Sequence, residues 1–405
     1  MADQMTRCEV PFPETSTVDV VESRLMAEHQ ENGCLHADSL HLDFSRTEFV
    51  DLPALLHVIS LLVQRRRTRR ETTMALPIGK RPRDFLQIWN FGQAVKDATD
   101  GSLDEVFSPE DVACLSEDIN NAVIRYSVNW KYDGSLQRLL SSRFFSLLSF
   151  FANRSPGRNR VASDESERWQ HELIRAVLDR HLGRPDNYVG SRIVYEACTN
   201  ALRHPGATVV QTASSFLIFG KSASARSTGY LTIVFWDDGV SMIDTLRGAI
   251  DAGKSVQALR VPALYADYRF SVHEYSGSML HESPMRSDYV PTRDTPDDLL
   301  LLSTTFPGIT RDALGEDWQP NPSLQTSNPE LNAPGMGLFV LVNTAVDIFS
   351  GRVTIRTKGL RLTISRDVEH QETRYAAKGT KYNPNSPSFL GNLVTIRLPI
   401  RLDRA

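Results

Sequence analysis

The sequence contains few cysteines, and they are not arranged like a metal site. Its 405 residues include four cysteines, Cys8, Cys34, Cys114 and Cys198, and no two of them form a C-x-x-C pair. We therefore predict neither a zinc site nor a disulfide framework. Sparse cysteine without a signal peptide is typical of a reducing compartment, so the predicted location is cytoplasmic.

Long apolar runs and an excess of one charge are also missing. The longest apolar candidate, residues 144–152, is too short to cross a bilayer, so we predict no membrane association. The net charge of -4 gives no global attraction to nucleic acid. The arginine cluster at 65–70 closes a predicted helix without interleaved aromatic residues, which favours a solvated helix end over a nucleic-acid surface.

The first third of the chain predicts a small α/β unit. Residues 40–45 alternate apolar and polar side chains, which is typical of a strand. Pro53 then opens an apolar helix that ends in the arginine cluster. A strand at 74–78 and an amphipathic helix at 83–95 follow, and this strand–helix–strand–helix order predicts a layered α/β structure.

Residues 42–45 and 48–55 resemble the strand, loop and helix start of a STAS domain, the fold of anti-sigma-factor antagonists. The resemblance implies a STAS-like α/β domain over residues 39–125. In regulatory members of that family, a phosphorylated serine or threonine follows the loop aspartate. Here Leu52 follows Asp51, so we expect a docking or scaffolding role for this domain instead of a phosphoacceptor role.

A polar row on one helix is the most informative feature of the second half. In residues 191–204, apolar residues recur at a near-helical spacing, and Glu196, Asn200 and His204 step by four. These three side chains therefore share one helical face. A carboxylate, an amide and an imidazole beside a buried stripe predict a pocket built over that face.

Two glycine-containing loops follow later in the chain. Asp237 and Gly239 come directly after a strand at 230–236, where an acid can point into a cleft and accept a hydrogen bond from an exocyclic amine. Gly335 and Gly337 precede a long apolar helix. Glycines in such a position leave N–H groups that can cradle phosphate oxygens.

In this order the motifs resemble those of the GHKL ATPase superfamily, which includes histidine kinase catalytic domains, anti-sigma serine kinases, type II topoisomerases and mismatch-repair ATPases. Residues 196–204 resemble the N box, residues 237–241 the first glycine box, and residues 335–338 the second. The resemblance covers residues 163–405. It implies the Bergerat fold, an α/β sandwich with a mixed sheet that binds ATP and Mg²⁺.

The resemblance also implies a role for each matching residue. Glu196 would be the catalytic general base, and Asn200 would bind Mg²⁺ between the phosphates. Asp237 and Gly239 would bind adenine, and Gly335 and Gly337 would bind the phosphates. His204 would orient or pack the N-box helix.

Three features depart from the family pattern. Ser241 stands where the first glycine box ends in glycine, and Asn392 stands where many members have threonine. The 95 residues from 240 to 334 are far more than a usual lid contains. We predict that residues 242–334 form an extended ATP lid whose order depends on nucleotide.

The predicted layout has four parts. An N-terminal extension (1–38) precedes a STAS-like domain (39–125), and a helical linker (126–162) leads to a GHKL ATP-binding domain (163–405). A strand is predicted at 17–21 within the extension, and a helix is predicted at 136–152 within the linker.

These features predict an ATP-hydrolysing conformational switch that acts on a protein partner or within a homodimer. His171 is not expected to be a phosphoacceptor, because no second helix fits between it and Glu196. Two alternatives stay open: an anti-sigma-type serine/threonine kinase in a partner-switching pathway, and a nucleotide-binding scaffold without hydrolysis.

Overall fold

The structure, a computed structural model, covers most of the predicted motifs in both halves of the chain. It describes residues 7–118, 147–151, 193, 196, 197, 200, 201, 206–219, 226–256, 269–273, 285–286, 288–309, 337–369, 374–381 and 390–403. Within these residues a large mixed sheet, a smaller parallel sheet and their helices confirm that the chain is α/β. No helix in the described ranges is long and apolar enough to cross a bilayer.

The N-terminal half is a parallel sheet with helical crossovers. Its elements in chain order are β1 (Arg7–Pro11), β2 (Thr15–Ser16), α1 (Val18–Asn32), β3 (Ser39–Asp43), β4 (Phe49–Val50), α2 (Leu52–Arg67), β5 (Glu71–Ala75), α3 (Lys80–Ile88), α4 (Phe91–Thr99) and α5 (Pro109–Leu115). The sheet order is β1-β3-β5, with every pair parallel. β1 and α1 lie within the predicted N-terminal extension, yet they pair and pack with β3 and α2.

Several predicted elements of this half need correction. The strand expected at 17–21 is instead the start of α1, where Val18, Val21 and Leu25 are buried at helical spacing. The single helix expected at 83–95 is two helices, because Asn90 adopts a left-handed conformation with φ 56° between them. The strand at 40–45 and the helix opened by Pro53 are confirmed as β3 and α2.

The expectation of no disulfide is wrong for one pair of cysteines. Cys8 in β1 and Cys34 after α1 form a disulfide, with their Cα atoms 5.4 Å apart. They are separated by 26 positions in the sequence and meet because α1 folds back beside β1. Spacing alone could not show this proximity.

The second half forms a nine-stranded sheet among the described residues. Its elements are β6 (Leu148–Phe151), β7 (Val209–Phe219), β8 (Arg226–Asp237), α6 (Met242–Asp251), β9 (Arg269–His273), β10 (Met285–Arg286), α7 (Asp297–Ser303), α8 (Gly337–Asn343) with a π-helical continuation (Thr344–Ile348), β11 (Arg352–Thr357), β12 (Leu360–Arg366), β13 (Tyr375–Lys381) and β14 (Asn392–Asp403). The strand order is β10-β9-β13-β12-β11-β14-β8-β7-β6. Only the β9–β13 pair is parallel among these strands.

Two segments outside the predicted sheet contribute to it. β6 lies within the helix predicted at 136–152, and that prediction is wrong for residues 148–151 because they pair with β7. The predicted lid supplies β9 to the sheet, and Leu300 and Leu302 of α7 are fully buried. These two elements from the predicted lid, β9 and α7, therefore belong to the sheet and the core. Residues 310–334 lie outside the described ranges.

Both faces of the large sheet are covered. Side chains alternate along a strand, so Phe235 of β8 and its partner Val394 of β14 point to one face, whereas Trp236 and Arg397 point to the other. The first face carries α8, and the second carries α2 of the N-terminal half. The apolar cores of the two halves are continuous across α2.

A buried ionic network lies between the second face and the N-terminal helices. Arg356 of β11 has only 5% of its side chain exposed and pairs with Glu22 at 2.9 Å and Asp19 at 2.6 Å, both on α1. His57 of α2 lies 3.6 Å from the same Glu22 carboxylate. Burial and the neighbouring Arg356 charge lower the pKa of His57 from 6.5 to about 3, so this imidazole is neutral at pH 7.

We expect Arg356→Met to lower the free energy of unfolding by about 3–5 kcal/mol, because it leaves the buried Glu22 carboxylate without its cation. The double variant Glu22→Gln/Arg356→Met should recover much of this loss. Arg361→Met is the matched control, since Arg361 contacts Asp19 from a more exposed position and should change stability by less than about 1 kcal/mol. Urea unfolding at pH 7 measures all three, and equal losses for Arg356 and Arg361 would contradict the network.

The lowered pKa of His57 predicts acid sensitivity. Between pH 6.5 and about 3 the unfolded imidazole binds a proton that the folded one does not, so stability falls as the pH decreases through this window. The variant His57→Gln should reduce the slope of unfolding free energy between pH 6 and pH 5 by about 1 kcal/mol per pH unit. Urea unfolding across this range is the measurement, and unchanged slopes would contradict it.

Candidate functional site

A pocket lies on the first face of the large sheet, where β8 ends. It is bounded by helical residues near 200, by β8 and β14, and by the starts of α6 and α8. Its walls are mostly apolar and carry two polar groups; the lining residues are Ala197, Asn200, Ala201, Phe235, Asp237, Met242, Leu338, Leu341 and Val394. An apolar cleft with a few fixed polar groups is the usual form of a small-molecule site.

Asp237 is held rigidly at one end of the pocket. It is the last residue of β8 and is 2% exposed. Its Oδ1 accepts hydrogen bonds from the Gly239 N–H and from Asn392 Nδ2, both at 3.0 Å, and its Oδ2 is 3.3 Å from the same Asn392 nitrogen. Fixed donors on one side keep the carboxylate in one orientation beside the pocket.

Asn392 connects four elements around this carboxylate. Besides Asp237, its Nδ2 donates to the Val240 carbonyl at 3.1 Å. Its Oδ1 accepts from the Met242 N–H and from the Thr357 hydroxyl, each at 2.8 Å. In the sequence, Asn392 stands out only as a departure from a family pattern. Its role depends on the pairing of β14 with β8, which places it directly opposite Asp237.

Gly391 allows β14 to begin this close to β8. Its φ is +78°, and a methyl group added to it would overlap the carbonyl oxygen of Asp237. A side chain at this position is therefore excluded both by conformation and by space. The glycine before Asn392 is a requirement of the site geometry.

The other end of the pocket brings together three predicted residues. A methyl group built on Gly337 would lie 2.9 Å from both side-chain polar atoms of Asn200 and from Oε2 of Glu196. Asn200 Nδ2 is buried and has no hydrogen-bond partner among the described residues. A buried polar group without a partner requires an explanation, and in a pocket a bound ligand, ion or water molecule is one.

Residues 237–241 contain two further polar side chains with defined contacts, Asp238 and Ser241. Ser241 caps α6, since its hydroxyl accepts from the Asp244 N–H at 2.9 Å, which explains a serine in place of glycine. The Asp238 carboxylate accepts from the N–H groups of Thr208 at 2.7 Å and Val209 at 2.9 Å. In the sequence, the only indication of a role for Asp238 is that a second acidic residue directly follows Asp237.

The predicted site residues are thus placed as follows. Glu196, Asn200 and Gly337 are in mutual proximity, and Asn200 lines the same pocket as Asp237. Gly239 donates to Asp237. Three predicted positions lie outside the described residues: Gly335, His171 and His204.

The donor set fits a magnesium–phosphate group better than a protein-only metal site. The described residues contain no group of three His, Cys, Asp or Glu side chains able to hold a metal ion. Mg²⁺ usually takes one or two protein oxygens and completes its coordination with phosphate oxygens and water. Asn200 can supply such an oxygen, and the bare backbone of Gly337 leaves no side chain in the way.

Replacing Gly391 by alanine should lower the free energy of unfolding by about 4 kcal/mol or more, because the added methyl group meets backbone at a positive φ. Gly253 is the matched control, since its φ is +69° but no atom lies within 4 Å of an added methyl group. Gly253→Ala should lose only about 1–2 kcal/mol. Urea unfolding compares the two, and equal losses would contradict the close approach of β14 to Asp237.

Comparison of the chain with protein-family models, curated proteins and solved structures gave no match. A function is therefore inferred from the geometry of this pocket and from the motifs around it.

Proposed function

We propose that the chain is a GHKL-type protein that binds and hydrolyses Mg-ATP and acts as a nucleotide-dependent conformational switch on a protein partner or a second copy. Residues 163–405 would form the Bergerat fold, and the N-terminal α/β unit would be STAS-like. One observation carries the proposal: Asn200 Nδ2, which is buried and has no hydrogen-bond partner among the described residues, lies against Gly337 in the pocket that also contains Asp237.

The Asp237 end of the pocket suits adenine. Its carboxylate is oriented by Asn392 and Gly239, and it can accept a hydrogen bond from the exocyclic amine of the base. The apolar walls formed by Phe235 and Val394 suit the faces of a purine ring. Guanine would present a carbonyl oxygen to the carboxylate, and two acceptors repel, so the site should prefer ATP to GTP.

The Asn200 end suits the phosphates. The side-chain oxygen of Asn200 would hold Mg²⁺, which when bound neutralises phosphate charge during phosphoryl transfer. Glu196 is 9% exposed and lies beside the same glycine, where its carboxylate can accept a proton from an attacking water molecule. Gly337 permits phosphate oxygens to approach the backbone closely.

The N-terminal unit favours a switch over an internal phosphotransfer. Leu52, at the position where regulatory STAS domains carry a phosphoacceptor, is fully buried at the start of α2. The preceding Asp51 caps the helix and lies 3.4 Å from Arg397 of the large sheet. The start of α2 therefore contacts the large sheet, and Leu52 offers no hydroxyl to accept a phosphoryl group. We favour a conformational signal between the two halves over phosphotransfer within the chain.

We expect Asn200→Ala to weaken Mg-dependent ATP binding tenfold or more, on the order of one lost charged hydrogen bond or ligand. Asp237→Asn should weaken the preference for ATP over GTP by about tenfold, because an amide can also donate to guanine. Asp251→Asn, a half-exposed change at the end of α6, is the matched control. Isothermal titration calorimetry measures binding, and unchanged affinity in Asn200→Ala would refute the site.

Turnover separates the three functional classes. Glu196→Gln should retain Mg-ATP binding and lower phosphate release about 10²–10⁴-fold, because it removes the proton acceptor. Labelled ATP followed by protein gels and phosphate release is the measurement. Transfer of label to a serine or threonine of a partner would favour the kinase, and binding without release would favour the scaffold.

A further inference from the structure

Helix α2 of the N-terminal half crosses the back of the sheet directly behind the pocket. It has 16 residues and is therefore about 24 Å long. Polar contacts at its start, middle and end join it to the large-sheet half; the pairs are Asp51 with Arg397, Ser60 with Leu390, and Arg67 with Asp238. Leu390 lies two residues before Asn392, and Asp238 directly precedes Gly239. Asn392 and Gly239 are the donors that hold Asp237.

The middle contact fixes the segment that leads into β14. Ser60 Oγ donates to the Leu390 carbonyl at 3.0 Å and accepts from the Leu390 N–H at 3.1 Å, so it binds both sides of one residue. The same carbonyl accepts from Trp236 Nε1 at 3.0 Å. Leu390 is followed by Gly391 and then by Asn392, which orients the pocket carboxylate. Ser60 therefore holds the residue two positions before Asn392.

The end contact fixes the residue beside Asp237. Arg67 donates to the Asp238 carboxylate and, at 3.3 Å, to the Asp238 carbonyl. The Asp238 side chain is 1% exposed and also accepts from the N–H groups of Thr208 and Val209. A cation on α2 thus neutralises a buried charge in the first glycine box. Arg67 itself is 44% exposed, so its contact is open to change from outside.

We propose that α2 couples the N-terminal α/β unit to the nucleotide pocket, with Ser60 and Arg67 as positioning residues for the Asp237–Asp238 segment. That the coupled ligand is a nucleotide rests on the proposed function. The coupling between α2 and the Asp237–Asp238 segment does not depend on that function. Because coupling between two sites is reciprocal, a protein partner that moves α2 changes nucleotide affinity, and bound nucleotide stabilises the α2 contacts by the same factor.

The test compares two neighbouring arginines. Arg67→Gln removes the contact with Asp238, whereas Arg66→Gln is a matched control, because Arg66 pairs with Glu105 at the surface. Arg67→Lys keeps the charge and serves as the rescue variant. Hydrogen exchange of the segments 206–210 and 237–242 is measured without nucleotide, and Mg-ATP affinity is measured separately by calorimetry.

We expect Arg67→Gln to accelerate exchange in these two segments, with β12 and β13 unchanged, and to weaken Mg-ATP binding about fivefold or more. Arg67→Lys should restore part of both, and Arg66→Gln should match wild type. Ser60→Ala should accelerate exchange in 237–242 and 390–394. Wild-type exchange in Arg67→Gln, or acceleration spread over the whole sheet, would overturn the coupling. If wild type binds no ATP, the proposed function fails, and the exchange data still decide the coupling.

Discussion

The contact between Asn392 and Asp237 is the constraint on which the pocket depends. One amide satisfies a buried carboxylate of β8, a carbonyl of the loop after it, an N–H group of α6 and a hydroxyl of β11. A buried polar network of this kind stabilises the fold only when all its members are paired, so the register of β14 against β8 is specified as a unit. The Asp237 end of the pocket is therefore fixed by the pairing of β14 with β8.

The N-terminal half contributes to the same constraint from behind. Its helices present Glu22, Asp51 and Arg67 to the sheet, and each meets an opposite charge. Glu22 and Asp238 are buried in these pairs, and a buried charge without its partner is strongly unfavourable. The two contacts therefore disfavour arrangements of the halves in which Arg356 or Arg67 lies elsewhere.

Local features of this chain were predictable, whereas long-range register was not. Strand β8 and helix α2 follow from periodicity, and Glu196, Asn200 and Asp237 stand out by residue type. The role of Asn392 and the Cys8–Cys34 disulfide depend on pairings that no spacing reveals. The short apolar run of β6 fits a helix or a strand equally well in the sequence, and only its pairing with β7 makes it a strand.

The strand order also has a consequence for how the chain folds. β14 lies between β11 and β8 in the middle of the described sheet, although it follows all the other strands in the sequence. Its partner β8 is separated from it by more than a hundred residues, so the ladder closes with a high contact order. Until β14 pairs, the strands on either side of it, β11 and β8, present unpaired edges. The hydrogen bonds from Asn392 to Asp237 and Thr357 therefore form only when β14 is inserted between these two neighbours.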